Sequence, residues 1–461
     1  MNLYGIQLSV QNVPSADPDF IPLGLFFQAY SQSAGQPFAI AIERNSGYVS
    51  VYDTKIQGVP ELFEADCYYI ERLVKLLLWV KGGVKVTLCG DAPHVMAHMK
   101  AAYQKGGLRD FDFHFMARIY ERPFALCCAA YADKPAEVEM SKSVGRHLEG
   151  CRIGFDAGGS DRKVSAVIDG EPVYSEEVVW FPKTNPDPDY HFKGIVDAFR
   201  TAAEKMPRVD AIGISSAGVY VDNRTMAASL FLKVPDELFE SKVKDIYIRA
   251  GQALGADIPI EVANDGDITA LAGAMSLNDD CVLGIAMGTS QAGGYVDAKG
   301  NITGWLNELA FVPVDAQPNA MRDEWSGDIG CGVKYFSQDG VIKLAARVGI
   351  ALDESLSPGE KLKVVQEYMD KNDPRAVSIF ESIGVYLGHS VSLYCQFYDI
   401  KHILLLGRVM SGEGGSLIYK NAVKTLKEEY PDICGKVELH LPDEKIRRVG
   451  QSVAAASLPT V

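Results

Sequence analysis

A short segment with one carboxylate and two glycines, Asp156-Ala-Gly-Gly-Ser160, lies between two apolar stretches of the sequence. Two successive glycines let a backbone approach a phosphate closely and offer its N–H groups. The carboxylate of Asp156 can hold magnesium through water. The segment therefore indicates phosphate binding by Gly158, Gly159 and Ser160, although an ordinary tight turn between two strands is the alternative.

Two further glycine-containing segments follow apolar stretches later in the sequence. In the first, an apolar stretch runs into Gly288-Thr289, and a glycine pair at 293–294 follows. The hydroxyl of Thr289 can donate to a phosphoryl oxygen. In the second, Ile403-Leu-Leu-Leu-Gly407 precedes a loop rich in small residues, which suits a nucleotide base and ribose. A glycine-rich hairpin and a buried strand with a flexible loop are the structural alternatives.

A pair of polar residues, Asn264-Asp265, ends an apolar strand pattern and begins a helix of small residues. A carboxylate at this position can take a proton from a hydroxyl group as a general base. The structural alternative is that Asp265 caps the helix, because aspartate is strongly favoured there. Asp267, two residues further on, competes for both roles.

The elements that must position these residues alternate between strand and helix patterns, which predicts an α/β protein. Three antiparallel strands are expected at 152–156, 163–169 and 171–180. A helix at about 190–206 and a buried strand at 211–215 follow. This order matches one half of an actin-like nucleotide-binding fold.

The first third of the chain shows a similar order of patterns, without the glycine pair. The predicted elements are strands at 38–42, 48–52 and 84–88, helices at about 69–81 and 93–103, an edge strand at 111–120 and a linker at 132–149. This third is either a degenerate duplicate of the half that follows or an unrelated small α/β domain, since such orders recur by chance.

The composition limits the classes of function. With 461 residues, the chain has room for about three domains. A net charge of −15 argues against nucleic-acid binding, because phosphate contacts need a basic surface. Nine cysteines without a CxxC pair suit reduced thiols in the cytosol. The N-terminus does not have the pattern of a signal peptide, and no membrane span is expected, so we expect a cytoplasmic protein.

Each of these signals is weak, but they occur in a definite order over about 260 residues, within the last 310 or so of the chain. In that order this part of the chain resembles the ROK family, which contains repressors, uncharacterised reading frames and sugar kinases. IGFDAGGSDRKVSAVIDG and GIAMGTSQAGGYV look like the family's two phosphate motifs, and EVANDGDITALAGAM looks like its catalytic segment. ILLLGRVMSG looks like the nucleoside motif, and VGQSVAAASL looks like the closing helix.

The resemblance implies roles for individual residues and an actin-like (ribonuclease H-like) two-lobed ATPase fold. Asp265 matches the general base, and Asn264 and Glu308 match sugar-binding positions. The positions that match nucleotide and phosphate binding are Gly158, Gly159, Ser160, Gly288, Thr289 and Gly407, and Asp156 matches the carboxylate near magnesium. Phe311 stands where the family usually has a zinc-binding histidine, and Cys331 is one remaining cysteine of a triple-cysteine motif. One cysteine cannot build a tetrahedral site, so no zinc is expected.

The function implied by the resemblance is ATP- and Mg²⁺-dependent phosphorylation of a sugar or amino sugar hydroxyl. The alternative is a sugar-binding regulatory protein with weak or absent catalysis. Family members often pair as dimers, so a homodimer is compatible with the resemblance. The predicted domains are an α/β domain at 1–150, a first lobe at 151–275 closed by a helix at about 446–461, and a second lobe at 276–445.

Overall fold

A computed structural model of the chain describes residues 1–139, 144–255, 257–441 and 450–461. Residues 140–143 of the predicted linker and residues 446–449 of the predicted closing helix lie outside the described residues. The chain divides into two compact units. The described residues of the larger unit are 1–139, 285–293 and 304–441, and the remaining described residues form the smaller unit. The division into three domains stays a prediction.

Seventeen strands are present in the described residues. In chain order they are β1 (Asn2–Leu3), β2 (Ile6–Gln7), β3 (Gln36–Glu43), β4 (Val49–Ile56), β5 (Lys85–Cys89), β6 (Ala125–Ala129), β7 (Cys151–Ala157), β8 (Asp161–Ile168), β9 (Glu171–Val179), β10 (Ala211–Ser216), β11 (Val219–Val221), β12 (Arg224–Ala227), β13 (Ile260–Asn264), β14 (Val282–Met287), β15 (Gln291–Val296), β16 (His402–Leu406) and β17 (Glu438–His440).

Fourteen α-helices are present in the same residues. They are α1 (Leu23–Ser33), α2 (Phe63–Lys81), α3 (Pro93–Ala102), α4 (Asp110–Tyr120), α5 (Pro188–Ala203), α6 (Asp236–Leu238), α7 (Ile246–Gln252), α8 (Asp265–Leu277), α9 (Gln338–Arg347), α10 (Pro358–Asp370), α11 (Pro374–Tyr394), α12 (Gly412–Glu429), α13 (Pro431–Cys434) and α14 (Gln451–Ala456).

The smaller unit contains a five-stranded sheet with the order β13-β10-β7-β8-β9. β13, β10 and β7 run parallel to one another. β8 pairs antiparallel with β7, and β9 pairs antiparallel with β8, so β7, β8 and β9 form a meander. The predicted order of three antiparallel strands, a helix and a strand is therefore confirmed. Because β7, β10 and β13 are parallel, their carboxyl ends meet at one edge of the sheet, where α/β proteins commonly bind ligands.

Both faces of this sheet are covered by apolar residues. On one side Phe155 of β7 packs edge-on against Phe199 of α5 within a buried core. On the other side α14 lies directly against the strands. A Cβ at Gly154 would lie 1.6 Å from the carbonyl oxygen of Ser452, and a Cβ at Gly213 would lie equally close to that of Ala455. Glycine on the strands and the buried alanines 454–456 of the helix allow this close approach of helix and sheet.

The N-terminal part of the larger unit forms a four-stranded sheet with the order β4-β3-β5-β6. The predicted hairpin, helix, strand and second helix are confirmed. The edge strand predicted at 111–120 is wrong, because these residues form helix α4. Its buried residues Asp112, Phe115, Met116 and Ile119 follow helical spacing. The alternating aromatic residues of DFDFHF imitated a strand pattern that the downstream residues do not continue.

The rest of the larger unit contains a helical layer, β16, β17 and parts of β14 and β15, and these four strands form a second sheet with the order β15-β14-β16-β17. The loop expected after Gly407 is shorter than predicted, because α12 already begins at Gly412. Among the described residues one helix, α11, is long and apolar enough to cross a membrane. Since 83% of its apolar window is buried within the fold, as in the core helix of a folded domain, this is weak evidence for a membrane span.

Candidate functional site

The predicted site residues are divided between the two units. Asp156, the turn at 158–160, Asn264 and Asp265 belong to the smaller unit, and Gly288, Thr289, Glu308 and Gly407 belong to the larger unit. In the smaller unit all of them follow the carboxyl ends of strands. Asp156 is paired in register with Ser215, and Ser216 is paired with Asn264, so three parallel strands bring these residues to one edge.

Asp156 is buried at the end of β7, with a side-chain exposure of 8%. Its Oδ1 accepts a hydrogen bond of 2.7 Å from the hydroxyl of Ser215, which is fully buried. Burial raises the pKa of Asp156 to about 6, the hydrogen bond from Ser215 opposes this rise, and the nearby charge of Asp265 adds to it. Asp156 therefore titrates only about one pH unit below neutral pH, and its Oδ2 atom is still available to a ligand.

The glycine turn after Asp156 is exposed but held from behind by Trp180. The buried indole donates a hydrogen bond of 2.8 Å to the carbonyl of Gly158, and its backbone N–H donates one of 3.1 Å to the carbonyl of Ser160. Both carbonyls thus face the protein. A Cβ at Gly159 would lie 2.6 Å from Cε of Lys183, so glycine leaves room for this side chain beside the turn.

The segment Asn264-Asp265 begins helix α8. The helix cap is Asn264, whose Oδ1 accepts from the N–H of Gly266 at 2.7 Å while its Nδ2 donates to the carbonyl of Gly218 at 2.7 Å. The capping role considered for Asp265 therefore belongs to its neighbour. Burial raises the pKa of Asp265, and a hydrogen bond from the N–H of Gly266 and the charge of Lys183 oppose the rise.

Asp267 has a different environment. Its side chain is 5% exposed, and its Oδ1 accepts a hydrogen bond of 3.0 Å from the backbone N–H of Tyr295. The adjacent Gly294 packs so tightly on the start of α8 that a Cβ there would lie 2.1 Å from the carbonyl of Gly266. Asp267 therefore joins α8 to β15, whereas the side chain of Asp265 is partly exposed.

In the larger unit Gly288 and Gly407 lie at the ends of neighbouring strands. Gly407 has a φ of 96°, and a Cβ at this position would lie 2.2 Å from the carbonyl of Met287, so only glycine fits. The carbonyl of Gly288 accepts from the N–H of Gln338 at the start of α9, at 2.9 Å. Thr289 is exposed, and the space around Gly288 is open. This turn can therefore admit a polar ligand.

Glu308 is positioned by a helix of the N-terminal third. The N–H groups of Asn307 and Glu308 donate to the carbonyls of Val80 and Trp79, both at 3.0 Å. These carbonyls belong to the last turn of α2, where the helix has no N–H donors of its own to satisfy them. The Oδ1 of the buried Asn307 also accepts a hydrogen bond from Tyr398 at 3.0 Å. Residues 1–139 thus support one of the predicted sugar-binding positions.

The positions that match the family's zinc motif are filled by an aromatic cluster and a buried ionic network. The ring of Phe311 lies 4.3 Å from that of Trp79, measured between centroids. The thiol of Cys331 is buried and lies 3.6 Å from Asp328, which pairs with Arg72 and Lys75 of α2 at 3.2 and 3.3 Å. A phenyl ring cannot ligate zinc, and this carboxylate is already neutralised. These residues therefore do not fit a zinc ion.

A cavity of about 580 Å³ lies beside this network in the larger unit. Its walls include Phe63, Tyr68, Arg109 and Ile329. None of the predicted site residues lines it. The cavity is thus separate from the residues predicted to bind nucleotide and sugar.

Ser215, Trp180 and Lys183 were not among the predicted site residues, although all three lie next to them. Ser215 could have been found from its place at the end of a buried strand, where the alignment with Asp156 follows from parallel pairing. No local pattern marks Trp180 or Lys183, because their contacts with the glycine turn depend on how the chain after β9 folds back.

Comparisons with known proteins bear on the family and the fold. A profile of the ROK family matches residues 152–435. The ROK hexokinase from Thermus thermophilus is 17% identical over 67% of this chain and 96% of its own, with a TM-score of 0.52. A ROK family transcriptional regulator, a homologue of the E. coli MLC protein, is 18% identical over 68% of this chain and 79% of its own, with a TM-score of 0.50.

A third solved structure, a ROK family glucokinase from Streptomyces griseus in complex with glucose and AMPPNP, is 21% identical over 67% of this chain and 98% of its own, with a TM-score of 0.48. No curated protein matches the chain at a significant level. At such identities the solved structures bear on the fold, and the predicted actin-like α/β class is confirmed. Because the family profile covers more than half of the sequence, the chain belongs to the ROK family.

Proposed function

We propose that the protein is a carbohydrate kinase that transfers a phosphoryl group from ATP to a hydroxyl of a sugar or amino sugar. The observation that carries the proposal is the carboxylate of Asp265, which is partly exposed at the carboxyl edge of the parallel strands and has a raised pKa. A general base works best when its pKa lies near the operating pH. Burial raises the pKa of Asp265 towards neutral pH.

Asp265 is also the better candidate of the two aspartates at the start of α8. Asp267 accepts a hydrogen bond from the backbone of Tyr295 and is almost completely buried. Its carboxylate would have to give up this bond to reach a substrate. Asp265 is held by the N–H of Gly266 at 3.0 Å, which fixes its orientation and leaves its other oxygen for a sugar hydroxyl.

The glycine turn after Asp156 supplies the second part of the proposal. Its amides and the ammonium group of Lys183, which lies beside Gly159, would bind the phosphates of ATP and stabilise the charge that develops during transfer. Asp156 and the neighbouring hydroxyl of Ser215 offer the oxygen ligands that Mg²⁺ prefers, and bound Mg²⁺ would neutralise phosphate charge. Asp156 would hold this magnesium through water.

In the larger unit we assign Gly288, Thr289 and Gly407 to nucleotide binding and Glu308 to sugar binding. Thr289 is exposed next to the open space around Gly288, so its hydroxyl is available to a phosphoryl oxygen. Asn264 is assigned to the sugar as well, although both ends of its amide already hold the backbone. We therefore expect Asn264 to act mainly by orienting Asp265.

The test is an assay of ADP release with ATP, Mg²⁺ and a panel of hexoses, hexosamines and N-acetylated hexosamines. We expect sugar-dependent ADP release with at least one member of the panel. Asp265→Asn should lower kcat by about 10²- to 10⁴-fold, the range typical of a lost general base, and should leave nucleotide affinity nearly unchanged. The matched control is Glu177→Gln, which removes an exposed carboxylate of the same unit and should retain full activity.

An Asp265→Asn protein with full activity would exclude Asp265 as the base. A sugar-dependent rise in Tm without any ADP release would favour the second candidate, a sugar-binding regulatory protein. The specific observation behind that candidate is the second glycine turn, where the side chain of Gln291 is buried and the turn has few glycines to admit a phosphate. ADP release without any sugar would instead point to an ATPase.

A further inference from the structure

Two histidines and a glutamate meet at the edge of the second sheet of the larger unit. β17 is the edge strand, and it pairs in parallel with β16. In this register His402 lies opposite Glu438, and His440 is two residues further along β17. Side chains two residues apart on a strand point to the same face, as do those of directly paired residues. His402, Glu438 and His440 therefore project from one face of the sheet.

The ligand atoms of these side chains converge. Nδ1 of His402 lies 3.0 Å from Nε2 of His440. Oε2 of Glu438 lies 3.9 Å from the first of these nitrogens and 3.8 Å from the second. All three atoms lie within 4.8 Å of one another. Both imidazoles are 15% exposed, and Glu438 is 69% exposed, so the cluster is accessible from solvent.

The geometry points to a binding site for a divalent transition metal ion of the zinc class, held by His402, His440 and Glu438. A Zn²⁺–nitrogen bond is about 2.0–2.1 Å long, so two imidazole nitrogens on one tetrahedral ion lie about 3.3–3.4 Å apart. The observed separation of 3.0 Å is a few tenths of an ångström shorter, so a slight rotation of the rings is enough to admit the ion. Glu438 must approach by roughly half an ångström, which an exposed side chain can do.

The donor set also selects the kind of metal. Two imidazole nitrogens and one carboxylate suit Zn²⁺, Co²⁺, Ni²⁺ or Cu²⁺, whereas Mg²⁺ and Ca²⁺ prefer oxygen ligands alone. Three protein ligands leave a fourth position for water. The alternative is a hydrogen bond between the two imidazoles, in which one ring nitrogen carries a proton. A hydrogen bond also fits the observed separation, so only a measurement of metal binding distinguishes the two.

The site is distinct from the nucleotide-binding segment proposed above. His402 begins β16 and Gly407 follows its other end, so the two positions are separated by roughly 17 Å along an extended strand. The metal would instead connect Glu438 and His440, the two ends of the three-residue edge strand β17, to the first residue of β16. We therefore assign it a structural or regulatory role, in which the ion stabilises the edge of this sheet.

The experiment uses the untagged full-length chain after treatment with a chelator and dialysis. Calorimetric titration with ZnCl₂ should show a site that His402→Ala and His440→Ala abolish, and Glu438→Gln should weaken it. His114→Ala, at an exposed histidine of the same unit, is the matched control and should bind as the original protein does. Because the nine cysteines can also take up zinc, titration with Co²⁺ should add the absorption bands of a nitrogen- and oxygen-ligated ion, without a thiolate charge-transfer band.

Zn²⁺ should also raise the Tm of the original protein but not that of His440→Ala. If His402→Ala fails to fold, His440→Gln and Glu438→Gln carry the test, since both lie on the edge strand. Unchanged Zn²⁺ binding in the histidine variants, or no Zn²⁺ binding by the original protein, would overturn the proposal in favour of the imidazole–imidazole hydrogen bond.

Discussion

Both units contain carboxylates that are wholly or partly buried, in contrasting surroundings. In the larger unit Asp328 lies against Arg72, Lys75 and Arg109. Burial raises the pKa of Asp328, but the charges of Arg72 and Lys75 outweigh this and hold it below its ordinary value. In the smaller unit Asp156 and Asp265 receive their hydrogen bonds from Ser215 and a backbone amide, and the pKa values of both are raised.

This contrast separates a structural from a functional use of buried charge. Lys75 donates to both oxygens of Asp112, at 2.9 and 3.0 Å, and Trp79 donates to the same carboxylate. Such a network is already neutral and holds α2, α4 and the segment around Asp328 together. The carboxylates at the strand ends of the smaller unit are not neutralised by such contacts. They would gain most from a cation or a proton supplied by a ligand.

The largest effect on stability is expected from Lys75→Met. This change removes the cation between Asp112 and Asp328 and leaves two buried carboxylates with less compensation, which typically costs about 3–5 kcal/mol. The measurement is the free energy of unfolding in denaturant. As a control, Lys193→Met removes the partner of Asp197 in an exposed pair and should cost less than about 1 kcal/mol. Equal effects in both variants would remove the distinction between the two kinds of pair.

A smaller effect, with the opposite sign, is expected from Asp156→Asn. The folded protein keeps Asp156 protonated up to its pKa of about 6, whereas the unfolded chain releases the proton near the ordinary value of 3.8. Stability from this group is therefore present below pH 3.8 and lost as the pH rises through 6. The variant has no such loss.

Without Mg²⁺, the free energy of unfolding of Asp156→Asn should equal that of the original protein near pH 4. At pH 7.5 it should be about 3 kcal/mol larger. Thermal unfolding across this pH range measures the difference. A difference that does not depend on pH would show that Asp156 titrates normally and that its burial has no electrostatic cost. Addition of Mg²⁺ should reduce the difference if the ion binds this carboxylate.

The smallest effect is expected from Ser215→Ala. The hydroxyl is fully buried and donates to Asp156, and a hydrogen bond to a charged group contributes about 1.5–3 kcal/mol. We expect a loss of stability near the lower limit, mainly above pH 6, together with a higher pKa for Asp156. Measurement of the carboxyl pKa by NMR tests this directly. An unchanged pKa would mean that Ser215 does not stabilise the charged form.

The motif residues were predictable because each lies within a few positions of its partners along the chain. The glycine turn after Asp156 and the strand end at Asn264-Asp265 were recognised in this way, and the succession of strands and helices along the smaller unit followed from local patterns. The helix at 110–120 was missed because the prediction relied on a short local pattern, in which a few alternating aromatic residues looked like a strand. The contacts of Trp180, Lys183 and Ser215 join residues that are distant in the sequence.

From the sequence alone came the ROK resemblance, the actin-like fold class and the residues that match the family's motifs, because motifs and periodicity are local properties of the chain. The fold was needed to distinguish the two aspartates of α8, since Asp267 accepts a hydrogen bond from the backbone of Tyr295 in β15. The fold was also needed to bring Arg72 and Lys75 to Asp328, which lies more than 250 positions further along the chain. These contacts form the ionic network at the positions where the sequence predicted no zinc site. Burial and charge compensation depend on such long-range neighbours, and these exist only once the chain has folded.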